Sequence, residues 1–250
     1  MGVLTRDEQS KIRTSGRISA KAMKRVLASI KPGVTLKELD EIAENEIKTL
    51  GGQSSFKKEP GYHWTTCVTV NSEVVHGIPR EIVLQEGDKV SVDLGAIYQG
   101  LHSDTSWSVV VGQADPAKDR FLKIGEEAMW KGVKKAIAGG RVGDISEQIQ
   151  TTIEGAGFKV VHALVGHGIG KKLHEDPEIP GIGRAGTGPF LREGEAIAVE
   201  AIYTEGTREV KVAEDGWTVL SADGSLGGLF EMTILVGKKK SEVLTDWRRV

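Results

Sequence analysis

Residues 89–111 read Lys-Val-Ser-Val-Asp-Leu-Gly-Ala-Ile-Tyr-Gln-Gly-Leu-His-Ser-Asp-Thr-Ser-Trp-Ser-Val-Val-Val, and this stretch decides the fold class. Lys89–Leu94 and Thr105–Val111 have the β-branched composition of strands. Gln99-Gly100 between them is a turn pair, which predicts an antiparallel hairpin. Its acids are unusual. Asp93 sits between Val92 and Leu94, where an unpaired carboxylate is costly to bury and needs a cation or a hydrogen-bond partner. Asp104 follows across the turn, so the two carboxylates can converge on one cation. Taken alone, the pair also fits turn or cap aspartates.

Upstream of the hairpin the apolar period is that of helices. From Thr5 to Ile30 it runs through Ile12, Ile18, Met23, Val26, Leu27 and Ile30, and Pro32-Gly33 stops it. Thr35-Leu-Lys-Glu38 is a capping-box pattern that opens a second helix carrying Leu36, Leu39, Ile42, Ile47 and Leu50, ended by Gly51-Gly52. Thr65–Val70 then alternates as a strand. Downstream the order recurs. Lys118–Ile137 reads as a helix broken by Gly139-Gly140, and Val142–Gly155 as another. Strands follow near Ala196–Tyr203, Val210–Ala213, Thr218–Leu220 and Phe230–Val236. Two helices followed by antiparallel strands, twice, predicts an α+β chain: one compact domain over 1–250 made of pseudo-symmetric halves, about 1–112 and 113–250. Residue identities do not repeat, so element order alone carries this expectation.

Composition narrows the function classes. The chain has 27% charged and 39% hydrophobic residues and a formal net charge of -2, ordinary values for a soluble globular protein and no pointer to nucleic acid. Lys238-Lys239-Lys240 reads as solvated surface. The single cysteine, Cys67, allows neither an intramolecular disulfide nor a thiolate zinc cluster, which suits a reducing, cytoplasmic compartment. The first residues lack a signal-peptide pattern, and no apolar run is long enough to span a membrane.

Two further acids interrupt apolar strands: Glu200 in Ala-Ile-Ala-Val-Glu-Ala-Ile (196–202) and Glu231 in Gly-Leu-Phe-Glu-Met-Thr-Ile-Leu-Val (228–236). Gly-His-Gly-Ile-Gly (166–170) places His167 between glycines, a sign that something approaches the backbone closely, and His174 follows. Shared divalent cations would neutralise Asp93, Glu200 and Glu231 together. Oxygen ligands with one imidazole suit Mn²⁺, Fe²⁺, Co²⁺ or Zn²⁺. Two such ions roughly 3.5–4 Å apart acidify a water and polarise a carbonyl, which is hydrolase chemistry. The chain has no Walker loop, no His-Glu-x-x-His and no Gly-x-Ser-x-Gly.

In order, the segments Val-Asn-Ser-Glu-Val-Val-His-Gly-Ile-Pro (70–79), Val-Asp-Leu-Gly (92–95), His-Ser-Asp-Thr-Ser (102–106), Gly-His-Gly-Ile-Gly (166–170), His174-Glu175, Val-Glu-Ala-Ile (199–202), Asp-Gly-Trp-Thr-Val (215–219) and Phe-Glu-Met-Thr-Ile (230–234) resemble those of the methionine aminopeptidases, over nearly the whole chain. That resemblance implies the pita-bread fold, a curved antiparallel sheet covered by helices, and two divalent metal ions. Asp93, Asp104 and Glu231 would hold one ion, and Asp104, His167, Glu200 and Glu231 the other. His76 and His174 would contact the substrate at the scissile amide, and Glu200 would shuttle a proton. Tyr62, Cys67 and Trp217 would form the methionine pocket, with Leu173 near its rim. Glu59 and Leu173 stand where the family commonly has an aromatic, which implies a looser pocket. Ala201 and Met232 stand where the family usually has Pro and His. The short interval between Glu200 and Glu231 implies the minimal type I enzyme. The implied partners are nascent polypeptide N-termini and the ribosome, although no basic arm marks a ribosome contact, and the implied state is a monomer. The chain's own Met1-Gly2 start would be a substrate for such an enzyme.

Overall fold

The first two helices each begin where a threonine meets a glutamate three residues on. In α1 (Arg6–Leu27) the Glu8 carboxylate accepts from Thr5 N at 2.8 Å, and the Thr5 hydroxyl accepts from Glu8 N at 3.3 Å. Thr35 and Glu38 repeat this capping box at α2 (Leu36–Thr49). The structure is a computed structural model describing residues 2–250, so Met1 lies outside the described residues.

Strands β1 (Gln53–Ser54), β2 (Thr66–Val70), β3 (Glu73–Val75), β4 (Lys89–Tyr98) and β5 (Leu101–Val110) complete the first half. The second half runs α3 (Pro116–Lys135), α4 (Val142–Gly155), β6 (Lys159–Val160), β7 (Val165–Gly168), β8 (Glu175–Pro180), β9 (Ala196–Thr204), β10 (Val210–Val212), β11 (Val219–Ser221), β12 (Gly227–Leu235) and β13 (Glu242–Val243). The β4–β5 hairpin is longer than its apolar pattern suggested. Tyr98 pairs with Leu101, and Gln99 and Gly100 both take positive φ (48° and 81°), the two-residue turn whose twist matches antiparallel strands.

A ten-stranded antiparallel sheet has the main order β1-β4-β5-β12-β9-β7-β8, with β2 on β4, β6 on β9 and β13 on β12. The β5–β12 contact joins the halves. A smaller sheet, β10-β11-β3, joins them again. One face of the large sheet is covered by the helices. There Val90, Val92, Leu94 and Ala96 of β4 and Val199, Ala201, Met232 and Ile234 of β9 and β12 lie in a single apolar core with Met23, Leu39, Phe121 and Ile149 of the helices. Each large side chain removed from water contributes about 1.5–3 kcal/mol, which holds the helices on that face. The opposite face is left for polar residues.

Strands β7 and β8 form within 165–180, where the sequence carries no strand signal. Glycines and prolines there suppress the strand signal, and β8 pairs on one side only, the edge position where proline is tolerated.

Candidate metal centre

Strand register, not sequence proximity, assembles the site. Cys67 pairs with Asp93, Asp93 with Ser106, Ser106 with Glu231, and Glu231 with Glu200. These residues form one row across β2, β4, β5, β12 and β9. Asp104 stands two residues along β5 from Ser106. His167 of β7 pairs with Ala198, two residues from Glu200. Because side chains alternate between faces, Asp93, Asp104, His167, Glu200 and Glu231 all project from the face opposite the helices.

Ligand atoms of Asp104, His167 and Glu231 lie within 4.8 Å of one another. His167 Nε2 is 4.0 Å from Asp104 Oδ2. Its Nδ1 is 2.9 Å from the Gly168 carbonyl, which can only accept, so Nδ1 carries the proton and Nε2 turns its lone pair to the carboxylates. Asp93 and Glu200 line the same chamber, of about 220 Å³. Asp93 Oδ1 and Glu231 Oε1 are buried without a partner.

The electrostatics are those of acids lacking a counter-charge. Burial, then mutual repulsion, pushes Asp93, Asp104 and Glu231 well above the usual carboxylate range, and burial lifts Glu200 to about 7. His167 is lowered to about 4, by burial first and then by neighbouring His174. Orphaned carboxylate oxygens facing an imidazole lone pair fit divalent cations, which supply the missing charge.

The glycines beside His167 have a structural explanation. A Cβ on Gly166 would sit 2.6 Å from the Ala198 carbonyl, and one on Gly168 would sit 2.2 Å from that of Asp176. What approaches the backbone is β9 on one side and β8 on the other. At the rim, the His174 ring centroid is 4.4 Å from that of His167. His76 reaches the cleft from a left-handed backbone (φ 57°), a conformation that persists only when its surroundings over-determine it. His76 and His174 are exposed at the rim, yet desolvation by the cleft walls holds both imidazoles below their ordinary pKa, and His174 adds to the effect on His76.

A second cavity, of about 170 Å³, shares His76, His174, Asp93 and Asp104 with the first. Tyr62, Cys67, Leu173 and Trp217 line it, with Phe56, Pro60 and Glu59. Tyr62 donates to Thr66 O at 2.8 Å and meets Trp217 edge-on at 5.0 Å between centroids. Burial raises the Cys67 thiol, so it stays neutral. Phe56 and Pro60 escaped the sequence reading because they lie in an irregular stretch where no periodicity reports a facing.

Ala201 and Met232 lie on the helix-covered face and are fully buried. Met232 Sδ accepts from Thr245 Oγ1 at 3.4 Å, and Thr105, within 3.9 Å of the same sulfur, donates to the Glu231 carbonyl at 3.0 Å. Neither side chain enters the chamber.

Residues 10–238 match metallopeptidase family M24. The chain belongs to that family. Relatives of this M24 chain include methionine aminopeptidase 1 of Bacillus subtilis, 42% identical over 94% of both chains, and the methionine aminopeptidase of Clostridium perfringens, 41% identical over 94% of both. The crystal structure of methionine aminopeptidase from Thermotoga maritima superposes with a TM-score of 0.96 at 41% identity, covering 98% of this chain and 99% of that one. The prolidase of Pyrococcus furiosus shares the fold at 23% identity with a TM-score of 0.80, and 65% of its length is covered. The pita-bread architecture expected from the sequence is the one found. Among the described residues of this M24 chain, no helix is long and apolar enough to cross a membrane.

Proposed function

We propose that this M24 chain is a type I methionine aminopeptidase, removing the N-terminal methionine of nascent polypeptides whose second residue is small. The observation that carries the reading is the junction of two chambers. A buried row of carboxylates with one imidazole opens, between His76 and His174, into a pocket walled by Tyr62, Cys67, Leu173 and Trp217. Aromatic rings and a neutral thiol suit a flexible, polarisable thioether. The relatives named methionine aminopeptidase support it.

In this reading Asp93, Asp104 and Glu231 would hold one divalent ion, and Asp104, His167, Glu200 and Glu231 would hold a second. Co²⁺, Mn²⁺, Fe²⁺ and Zn²⁺ all suit the donor set. The ions, when bound, supply Lewis acidity and a water acidic enough to attack at neutral pH. The Glu200 carboxylate takes the proton that the attacking water releases and returns it to the leaving amine nitrogen. His76 and His174, as neutral imidazoles, donate N–H groups to charge developing on the scissile carbonyl oxygen. Tyr62 and Trp217 keep water from the side-chain pocket.

The chain then acts as one catalytic unit of two halves, about 1–112 and 113–250. In support, β5 pairs with β12 across the halves, and β3 joins β11 in the smaller sheet. Its substrates, nascent chains, place it in the cytoplasm, in keeping with the buried free thiol of Cys67.

The test is hydrolysis of Met-Ala-Ser, Met-Lys-Ser and Ala-Pro-Ala with Mn²⁺ or Co²⁺. Free methionine from the first peptide alone is the expected result. Cleavage of Ala-Pro-Ala instead would assign the chain to the proline-directed enzymes whose fold it shares, and no cleavage in the presence of bound metal would leave a binding protein.

A further inference from the structure

We propose that Arg80 is a positioning residue that fixes the His76 turn and the Trp217 wall of the side-chain pocket together, an inference that rests on the aminopeptidase reading above. His76-Gly77-Ile78-Pro79 leaves β3 and folds back on β2, where Val68 N donates to Gly77 O at 2.8 Å. A Cβ on Gly77 would lie 2.4 Å from the Val68 carbonyl, so the turn has no slack on that side. Its two ends are joined by an ion pair: Arg80 Nη2 donates to Glu73 Oε1. The other Glu73 oxygen accepts from Val70 N at 2.9 Å, which anchors the carboxylate to β2. The Glu73–Arg80 pair thus closes the loop that carries His76 in its left-handed conformation.

The other arm of the guanidinium reaches a different segment. Arg80 Nη1 lies 3.4 Å from Thr218 Oγ1 and 3.6 Å from Asp215 Oδ2. Asp215 organises the turn that presents Trp217. Its Oδ1 accepts from Trp217 N at 2.9 Å and Thr218 N at 2.8 Å, and its Oδ2 accepts from Thr218 Oγ1 at 2.6 Å. Arg80 Nε is buried with no partner, so these two arms are what offset the burial of the head group. The backbone ladder between the two segments is short and irregular, with Val75 on Val219 and a register shift beside it. A planar, forked cation reaches the two partners with two separate nitrogens, whereas a lysine has a single ammonium to place between them.

The functions of the two arms are separable. The Glu73 arm holds His76, which meets charge in the transition state. The Asp215 and Thr218 arm holds Trp217, which meets the side chain in ground and transition states alike. On the metal-loaded full chain with Met-Ala-Ser, Arg80→Met should lower kcat and raise KM, each about tenfold. Arg80→Lys keeps a charge for Glu73, so kcat should return to within about twofold of the parent while KM stays raised. Asp215→Asn, which spares Glu73, should raise KM. Parent-like constants in Arg80→Met would overturn the proposal. So would kcat losses at unchanged KM that follow thermal stability in both Arg80 variants, or an Arg80→Lys enzyme that recovers neither constant. Amide exchange at Trp217 and Thr218, read without substrate, should quicken in Arg80→Met, and unchanged protection also overturns it. If the parent chain does not cleave Met-Ala-Ser, the aminopeptidase reading fails and amide exchange alone decides the clamp.

Discussion

Lys89→Met should reshape the pH dependence of stability. Lys89 is fully buried at the start of β4, where its ammonium donates to Glu73 O at 3.1 Å and to Ser91 Oγ at 3.2 Å. Burial lowers its pKa from 10.5 to about 7, with Glu73 partly opposing the shift. That gap corresponds to on the order of 5 kcal/mol in favour of the neutral amine. Below pH ~7 folded and unfolded chains both bind the proton, and the whole penalty weighs on the fold. Between about pH 7 and 10.5 only the unfolded chain binds it, so stability rises with pH. Methionine removes the titration and leaves the Glu73 carbonyl without this donor, a loss of about 1–3 kcal/mol at every pH. The variant should therefore be more stable than the parent by about 2–4 kcal/mol near pH 6.5, and, because roughly 1 kcal/mol of the penalty still remains near pH 10, less stable there by about 0–2 kcal/mol. Urea denaturation of both metal-free proteins at a series of pH values, followed by tryptophan fluorescence, measures the difference directly. A difference that stays flat from pH 6.5 to 10 would refute the reasoning.

Glu200→Gln should cut turnover of Met-Ala-Ser by at least ~100-fold while circular dichroism and melting temperature stay near the parent's, because the amide fits the row but cannot shuttle a proton. Dialysis against a chelator should abolish cleavage, and Mn²⁺ or Co²⁺ should restore it. Elemental analysis of the restored protein should find close to two ions per chain, and its melting temperature should rise with metal concentration, since the ions bind only the folded site. Gly168→Ala places a Cβ 2.2 Å from the Asp176 carbonyl, so β7 and β8 must separate. A loss of about 1–3 kcal/mol is expected together with weaker metal affinity, and an unchanged metal titration would contradict the link between that contact and His167.

The helices were legible wherever end signals are local. Thr5 and Thr35 have their capping glutamates within the same turn, and Val142–Gly155 is bounded by glycines, so chain neighbours suffice. The hairpin was legible from its turn pair. Strands β7 and β8 were not, because their residues form strands only through the partners on either side. Lys89 carried no sign of its burial, since a lysine opening a strand normally points to water. Asp40 is a similar case. In the sequence it is one more acid on a helix, yet its Oδ1 accepts from Thr65 N, Thr66 N and the Thr66 hydroxyl at 2.7–2.9 Å, anchoring the entrance of the strand that carries Cys67.

The sequence by itself determined which chemistry is present. Asp93, Glu200 and Glu231 interrupt apolar strands, and the cost of burying a lone carboxylate is a property of the residue and its immediate neighbours, readable before any fold is known. Only the tertiary structure decided that these acids meet. The row from Cys67 to Glu200 depends on the register of four strand pairings, and a slip of one residue in any of them turns Cys67 or one of the acids to the helix side. The same non-local register keeps Met232 out of the chamber one residue after Glu231 enters it. The tertiary fold likewise sets Arg80 between Glu73 and Asp215, bringing the His76 turn and the Trp217 turn, distant in the chain, to two sides of one pocket.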